Sequence, residues 1–447
     1  MYIKAFRLVQ TYDNSLEYAK CFLYLCNKRM DSAAMRVDEE LTPTIPGRWG
    51  EEVFPLLSWF RLDKVRNANV MVVGCGALGN EVLKNLALFG VEHLVIVDFD
   101  TIELSNLTRS ILFTPEDAAE GRPKAIVAAE RLRKINPAIQ VLPIVGDIAH
   151  DVGLGLLRRM DVVVACVDNR WARYCLNRLC MRMNRPWVDG GIDGLEGTAR
   201  VFVPGKNCYA CGLGPEALKD LSFRLSCASV IRRNIREGRM PTTPVVASII
   251  GAVEAQEAIK LLHPEELARG ELTSLCGEMY YYEGQHLASR IVDFSAYDDD
   301  CPVHERWEPI EKIESLTTGL RVDDALARLS ERFGGEPVEL CLRDFRFVDY
   351  LVDREDDRRY VVSRPDYAVE RFVEESPVLR YKPFHSFYQH EFGSIDMRFP
   401  YPELTLKEIG VTGCDVVPVR VGKAIRYVEL GDELDYSIYL STNTRAS

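Results

Sequence analysis

Residues 70–100 read VMVVGCGALGNEVLKNLALFGVEHLVIVDFD, and this stretch leaves a folding chain few options. A β-branched apolar run leads into Gly74-Cys75-Gly76-Ala77-Leu78-Gly79. A helix-like segment follows, then a second apolar run over 94–97 that ends at Asp98. Strand, glycine turn, helix and strand in that order make a βαβ unit. Glycine lets the backbone approach a phosphate, and the helix that follows offers free N–H groups and the positive end of a dipole. Asp98 stands 19 residues after Gly79, where an acid bonds a ribose hydroxyl. The stretch therefore reads as a nucleotide site, with NAD and ATP both open.

The alternation continues. A helix is expected over 123–135, a strand over 141–145, a helix near Leu154 and a buried strand over 161–167 that ends in Asp168-Asn169. Another helix over 171–183 leads to Trp187-Val188-Asp189-Gly190-Gly191. Such alternation predicts an α/β fold: a Rossmann-like, doubly wound, mostly parallel sheet with helices on both faces. Ligands of these folds sit at the carboxyl ends of the strands. Asp98, Asp100, Asp168 and Asn169 all fall at such ends, so one site can collect them. Before residue 46 the pattern is helical, with Leu16, Ala19, Leu23 and Cys26 spaced for one face, and Met35 is a second possible start. Beyond Glu308 the texture changes, with a charged run over 354–359 and a polar–aromatic stretch over 381–399. We expect three parts: a helical extension over 1–45, a nucleotide domain over 46–309, and a smaller C-terminal α+β domain over 310–447.

Composition narrows the class. The 447 residues carry 55 basic and 67 acidic side chains, a net charge of −12, which argues against nucleic acid and anionic membrane as partners. No apolar run approaches the length of a membrane span, and no secretion signal is evident. Thirteen cysteines, an odd number spread through the chain, fit a reducing compartment and a cytoplasmic location.

Three features move the reading from NAD to ATP. The first is the polar stretch from Asp100 through Ser105-Asn106-Leu107-Thr108-Arg109, followed by Arg122-Pro123-Lys124. A triphosphate needs cationic and donor groups converging on one anionic chain. Arg109 and Lys124 supply charge, Asn106 supplies hydrogen bonds, and Asp168 suits Mg²⁺ in a hard-oxygen shell. Each residue alone is as readily a solvated loop residue, and Pro123 suits a helix start in any case. The second feature is Cys208-Tyr209-Ala210-Cys211 paired with Cys301-Pro302-Val303-His304, 90 residues on; two short-spaced pairs can close a tetrahedral Cys₃His zinc site. The third is Cys227, with Arg224, Arg232 and Arg233 near it, a setting that favours the thiolate. Cys75 and Cys166 read as packing residues at strand ends.

The ordered set from Gly74 to Asn169, together with the segment PVVASIIGAVEAQEAIKLL over 244–262, resembles the ThiF/MoeB/HesA superfamily, which includes the ubiquitin-activating enzymes. The resemblance implies ATP-dependent adenylation of the C-terminal carboxylate of a small ubiquitin-like β-grasp protein. It implies a ThiF-type adenylation domain over 46–309 with a crossover loop and a structural zinc. Carried over residue by residue, Asp98 would bind the ribose of ATP, with Gly74, Gly76, Gly79, Asp100 and Asn169 also in the ATP site. Asn106, Arg109 and Lys124 would hold its phosphates, and Asp168, beside Asn169, would hold Mg²⁺. Arg109, Lys124 and Asp168 thereby become catalytic, and Cys227 becomes the acceptor of a thioester. Relatives generally use four zinc cysteines, so His304 is a departure. They also carry an arginine that reaches a partner subunit's ATP, for which Arg48 is the nearest candidate, and they pair as homodimers.

The leading expectation is an activating enzyme that feeds a ubiquitin-like conjugation pathway and its conjugating enzyme. Two other readings stay open. One is activation of a sulfur-carrier protein of the thiamine or molybdopterin type as a thiocarboxylate. The other is a non-catalytic partner subunit.

Overall fold

The computed structural model describes residues 54, 57–214, 216–217, 242–294 and 296–432. The extension expected over 1–45, and with it Met35, lies outside the described residues, as do Arg48 and Cys227. The larger sheet holds β1 (Asn69–Val73), β2 (His93–Val97), β3 (Gln140–Ile144), β4 (Val162–Ala165), β5 (Trp187–Asp193), β6 (Glu196–Phe202), β7 (Glu278–Glu283) and β8 (Ala288–Asp293). Its order is β3-β2-β1-β4-β5-β6-β7-β8. Every pairing from β3 to β5 is parallel, and every pairing from β5 to β8 is antiparallel. The parallel half is the expected one. The antiparallel half, built by β5 turning straight back as β6, was not anticipated beyond the stretch at Trp187.

Strands β1 and β2 are almost uninterrupted apolar residues because both faces are covered. Val70, Val72, Leu94 and Ile96 face the helices α1 (Ala77–Phe89) and α2 (Lys124–Ile135) and one later helix. On that face α1 contributes Leu78, Val82 and Leu86, four residues apart and therefore on one stripe. Met71, Val73, Val95 and Val97 face the other way, against Leu176 and Leu179 of α3 (Arg170–Arg182). Asn169 caps α3 by accepting the Ala172 N–H at 2.8 Å. The later helix, α4 (Pro244–Leu261), starts from a Thr243 cap and contributes Ile250, Ala255 and Ile259 to the first face. Helix α2 begins one residue later than expected, because Pro123 keeps an extended ψ of 131° and serves as the cap.

From Ile310 the chain builds two smaller sheets. One is ordered β14 (Ser394–Ile395), β10 (Val338–Cys341), β15 (Val416–Val421), β16 (Ala424–Leu430) and β9 (Ile310–Ile313), and β16 pairs parallel with β9. The other is the antiparallel ribbon β12 (Arg359–Pro365), β11 (Phe347–Asp353) and β13 (Phe387–Phe392). The amphipathic helix α5 (Val322–Arg332) buries Leu326 and Leu329 against Leu340 and Val419.

These sheets are fastened to the nucleotide half by buried charge. The Arg343 guanidinium meets Asp415 at 3.0 Å and also donates to the carbonyls of Ala149 and Val152. Asp415 in turn accepts the Leu154 N–H at 2.9 Å. A buried pair of this kind tolerates its desolvation only because its remaining donors and acceptors are satisfied. Arg178 and Arg182 both reach Asp344, and Trp307 stacks on Tyr427 at 5.0 Å.

Candidate functional site

Strand order reverses between β1 and β4, and a doubly wound sheet opens a crevice there. A cleft of about 1000 Å³ lies at that point. Gly76 after β1 and Asp168 after β4 flank it, and the loop after β2 supplies Asp100, Asn106 and Arg109 to the same space. Lys124 reaches it from the first turn of α2. Six residues expected from the sequence are thus gathered in one cleft.

The three glycines do different work. Gly74 has a φ of +95°, and a Cβ there would collide with the Cys166 carbonyl. Gly79 lies so close to the Gly74 carbonyl that a Cβ would collide with it. Both let α1 sit hard against the strand ends. Gly76 is different: it caps α1, and nothing stands within 4 Å of where its Cβ would be. It alone of the three lines the cleft, where its missing side chain leaves a ligand room to reach the helix N-terminus.

Two of the expected nucleotide contacts are turned inward. Asp98 does not line the cleft. Its Oδ2 accepts the Cys75 N–H at 2.5 Å and its Oδ1 accepts the Asp100 N–H at 2.8 Å, so both oxygens brace the glycine turn. Burial pushes its carboxyl above the usual range, against the pull of Lys124. Asn169 also stays out of the lining, its oxygen spent on the α3 cap. Its Nδ2 donates to Oδ1 of Asp168 at 3.0 Å, which orients the exposed carboxylate.

The remaining groups are held ready. Lys124 is largely buried, and its Nζ lies 2.7 Å from Oδ2 of Asp100. Arg109 is tethered by one guanidinium nitrogen to the Ser105 carbonyl at 2.7 Å. The Asn106 oxygen accepts the Glu103 N–H at 2.9 Å, closing a short 3₁₀ turn over Leu104–Asn106. Fixing long side chains in advance lowers the entropy lost when a ligand arrives.

The four zinc-type residues converge. The ligand atoms of Cys208, Cys211, Cys301 and His304 all lie within 4.8 Å of one another. Cys208 Sγ is 3.7 Å from both Cys301 Sγ and Cys211 Sγ, and Cys211 Sγ is 3.2 Å from His304 Nε2. Sulfur ligands about 2.3 Å from a tetrahedral zinc ion stand roughly 3.8 Å apart, so the sulfur spacings are those of a metal cage. Ring stacking on Tyr297 at 4.5 Å holds His304 in place. The cluster can hold zinc, and it ties the chain after β8 back to the segment after β6.

Sequence reading missed a second charged group, on the antiparallel half. Asp189 of β5 is fully buried and receives Arg173 at 2.7 Å and Arg200 of β6. Arg173 also donates to the carbonyls of Val167 and Gly190, each at 2.7 Å. Beside them Glu254 of α4 is fully buried against Gly190, and its Oε2 has no hydrogen-bond partner among the described residues. Burial, with Asp189 adding to it, raises the Glu254 carboxyl well above its ordinary range. The alternation Glu196, Thr198, Arg200 was the available signal, a polar face at period two. Nothing local says which sheet face it joins.

A model of the ThiF family matches residues 49–303. The SAMP-activating enzyme E1 of Haloferax volcanii is 34% identical over 58% of this chain and 89% of its own length. The sulfur carrier protein ThiS adenylyltransferase of Escherichia coli (strain K12) is 35% identical over 48% of this chain and 80% of its own. The adenylyltransferase and sulfurtransferase MOCS3-2 of Zea mays is 33% identical over 80% of this chain and 69% of its own. Among the described residues no helix is long and apolar enough to cross a membrane.

Proposed function

The chain belongs to the ThiF family, and from that footing we propose that it uses ATP to adenylate the C-terminal carboxylate of a small ubiquitin-like or sulfur-carrier protein. The observation that carries this reading is the convergence of Gly76, Asp100, Asn106, Arg109, Lys124 and Asp168 on one cleft at the switch point. A dinucleotide site has no use for so many charged groups after its second strand. The same intact set favours catalysis over a non-catalytic partner role.

In the proposed reaction a carboxylate oxygen attacks the α-phosphorus. A P–O bond forms to the acyl group, the bond to the β-phosphate bridging oxygen breaks, and pyrophosphate leaves. Two anions are pressed together, so charge must be neutralised as it develops. Arg109 supplies a cation from the loop after β2 and Lys124 one from the first turn of α2, Asn106 supplies amide donors, and the Gly76 turn presents backbone N–H groups. The exposed, oriented carboxylate of Asp168 is a hard-oxygen donor fit for Mg²⁺, which would add positive charge at the phosphates. Asp98 supports the reading by bracing the turn, and each of its oxygens keeps a second lone pair open to a ribose hydroxyl.

The fate of the acyl-adenylate divides two further readings. Transfer to Cys227 would give a thioester and a conjugation pathway, with the sheets beyond Ile310 recruiting a conjugating enzyme. Delivery of sulfur would give a thiocarboxylate, and the names of the Escherichia coli and Zea mays relatives favour this branch. A homodimer in which Arg48 reaches the partner's nucleotide belongs to the same proposal. The cluster of Cys208, Cys211, Cys301 and His304 would hold a structural zinc ion.

The test is pyrophosphate exchange into ATP, dependent on a β-grasp protein that ends in glycine. Exchange that persists undiminished in Asp168→Ala would remove the metal role. Mass spectrometry of the product then separates a thiol-labile enzyme adduct, absent in Cys227→Ala, from a free thiocarboxylate. No exchange with any such protein would overturn the proposal.

A further inference from the structure

The cleft has two walls of different make. Loops after the parallel strands β1, β2 and β4 carry Gly76, Asp100, Arg109 and Asp168. The antiparallel half, β5 to β7, carries Gly191, Thr198, Arg200 and Tyr281 to the same space. Thr198 pairs with both Gly191 and Tyr281 across the ladder, so these side chains share one sheet face.

Asp193 and Glu196 on this second wall are exposed to solvent, and the buried pairing on the same wall is unequal. Two guanidinium groups, Arg173 and Arg200, share the single carboxylate of Asp189. Glu254, which stands nearby, pairs with neither guanidinium: its Oε1 accepts from Cys166 Sγ and its Oε2 has no hydrogen-bond partner among the described residues. One guanidinium is thus left without a carboxylate of its own. Arg173 cannot readily offer its charge to a ligand, because its Nε and Nη2 are committed to Asp189 and two carbonyls. Arg200 can. Asp189 anchors one end of its guanidinium, while its Nε is buried without a hydrogen-bond partner among the described residues. The rings of Tyr209 and Phe294 lie 5.2 Å on either contact, which fixes the plane of the group. On the opposite wall the charge of Lys124 is already met by Asp100.

We propose that Arg200 docks the free carboxylate of the substrate's terminal residue, positioning its second oxygen for attack on the α-phosphorus. The inference rests on the adenylation reading and deepens it. In-line displacement requires the acceptor to approach from the side opposite the departing pyrophosphate. A cation on the far wall meets that requirement. Adenylation turns the carboxylate into the neutral acyl end of a mixed anhydride whose remaining negative charge lies on the phosphate, so the contact weakens once the reaction is complete. Arg200 is on this account a positioning residue.

The experiment uses the full chain and an octapeptide ending in glycine, made once as the free acid and once as the C-terminal amide. Calorimetric titration of the unmodified protein should favour the acid by roughly tenfold or more, the value of a charge-assisted hydrogen bond. Arg200→Ala should bring the two forms together, Arg200→Lys should keep part of the preference, and ATP affinity should hold within about twofold in both. Asp189 keeps Arg173 as a partner in either variant, and a melting curve checks that each is folded. A preference that survives Arg200→Ala overturns the inference, as does its absence in the unmodified protein or an equal loss of ATP affinity. Absent pyrophosphate exchange with an intact acid preference would instead strike the adenylation reading.

Discussion

Lys124 Nζ lies 2.7 Å from Asp100 Oδ2 and so joins the loop after the second strand to the first turn of the helix that follows. The Lys124 N–H also donates to the Asp100 carbonyl at 3.0 Å, giving a two-point clasp over the cleft. The cation is thereby held in place at the cleft.

Lys124→Met keeps much of the buried stem and removes the charge. Pyrophosphate exchange should fall by roughly 10²–10³-fold, the cost of one well-placed electrostatic group. The melting temperature should shift by only a few degrees, because Asp100 can turn to solvent. Unchanged exchange would remove Lys124 from the phosphate site.

Gly76→Ala and Gly79→Ala should part company. The Gly79 variant must push its Cβ into the Gly74 carbonyl, and such overpacking against backbone costs about 3 kcal/mol or more. Urea denaturation should expose that loss. At Gly76 the new methyl meets open space, so stability should hold while nucleotide affinity drops. Equal stability losses in both would show that Gly76 serves packing too.

Elemental analysis of the purified protein should find one zinc per chain. His304→Ala or Cys208→Ala should lower that content and the melting temperature together, since ligand binding free energy is also folding free energy. Full zinc occupancy in either variant would exclude the Cys₃His assignment.

Asp366 provides a pH signature far from the cleft. Burial raises its carboxyl to about 7 from an ordinary value of 3.8. A carboxyl raised in this way lends stability that is complete below the unfolded value and lost as pH rises through the folded one. Unfolding free energy should therefore decline between about pH 4 and pH 7. Asp366→Asn, which still accepts the Arg346 N–H in place of the carboxylate, should flatten that slope. A slope identical in both proteins would mean that another group titrates there.

Much of the nucleotide half was legible in the chain itself. The run VMVVGCGALG fixed β1, the turn and the start of α1, because β-branched residues, glycines and a helical stripe are local signals. The Cys208–Cys211 and Cys301–His304 pairs were equally readable, since ligand spacing is written in sequence. Roles at single atoms were less so. Asp98 and Asn169 stand at strand ends as expected, yet their oxygens accept backbone N–H groups.

Sequence alone determined the βαβ unit, its glycine turn, the acids at the strand ends and the family these imply. Tertiary structure decided which glycine faces a ligand, that β5 turns back into an antiparallel half, and that Arg173 and Arg200 share Asp189. The reason is physical. Helix and strand periods arise from neighbours along the chain, whereas register brings residues 76, 168, 200 and 281 to one cleft only after distant strands pair.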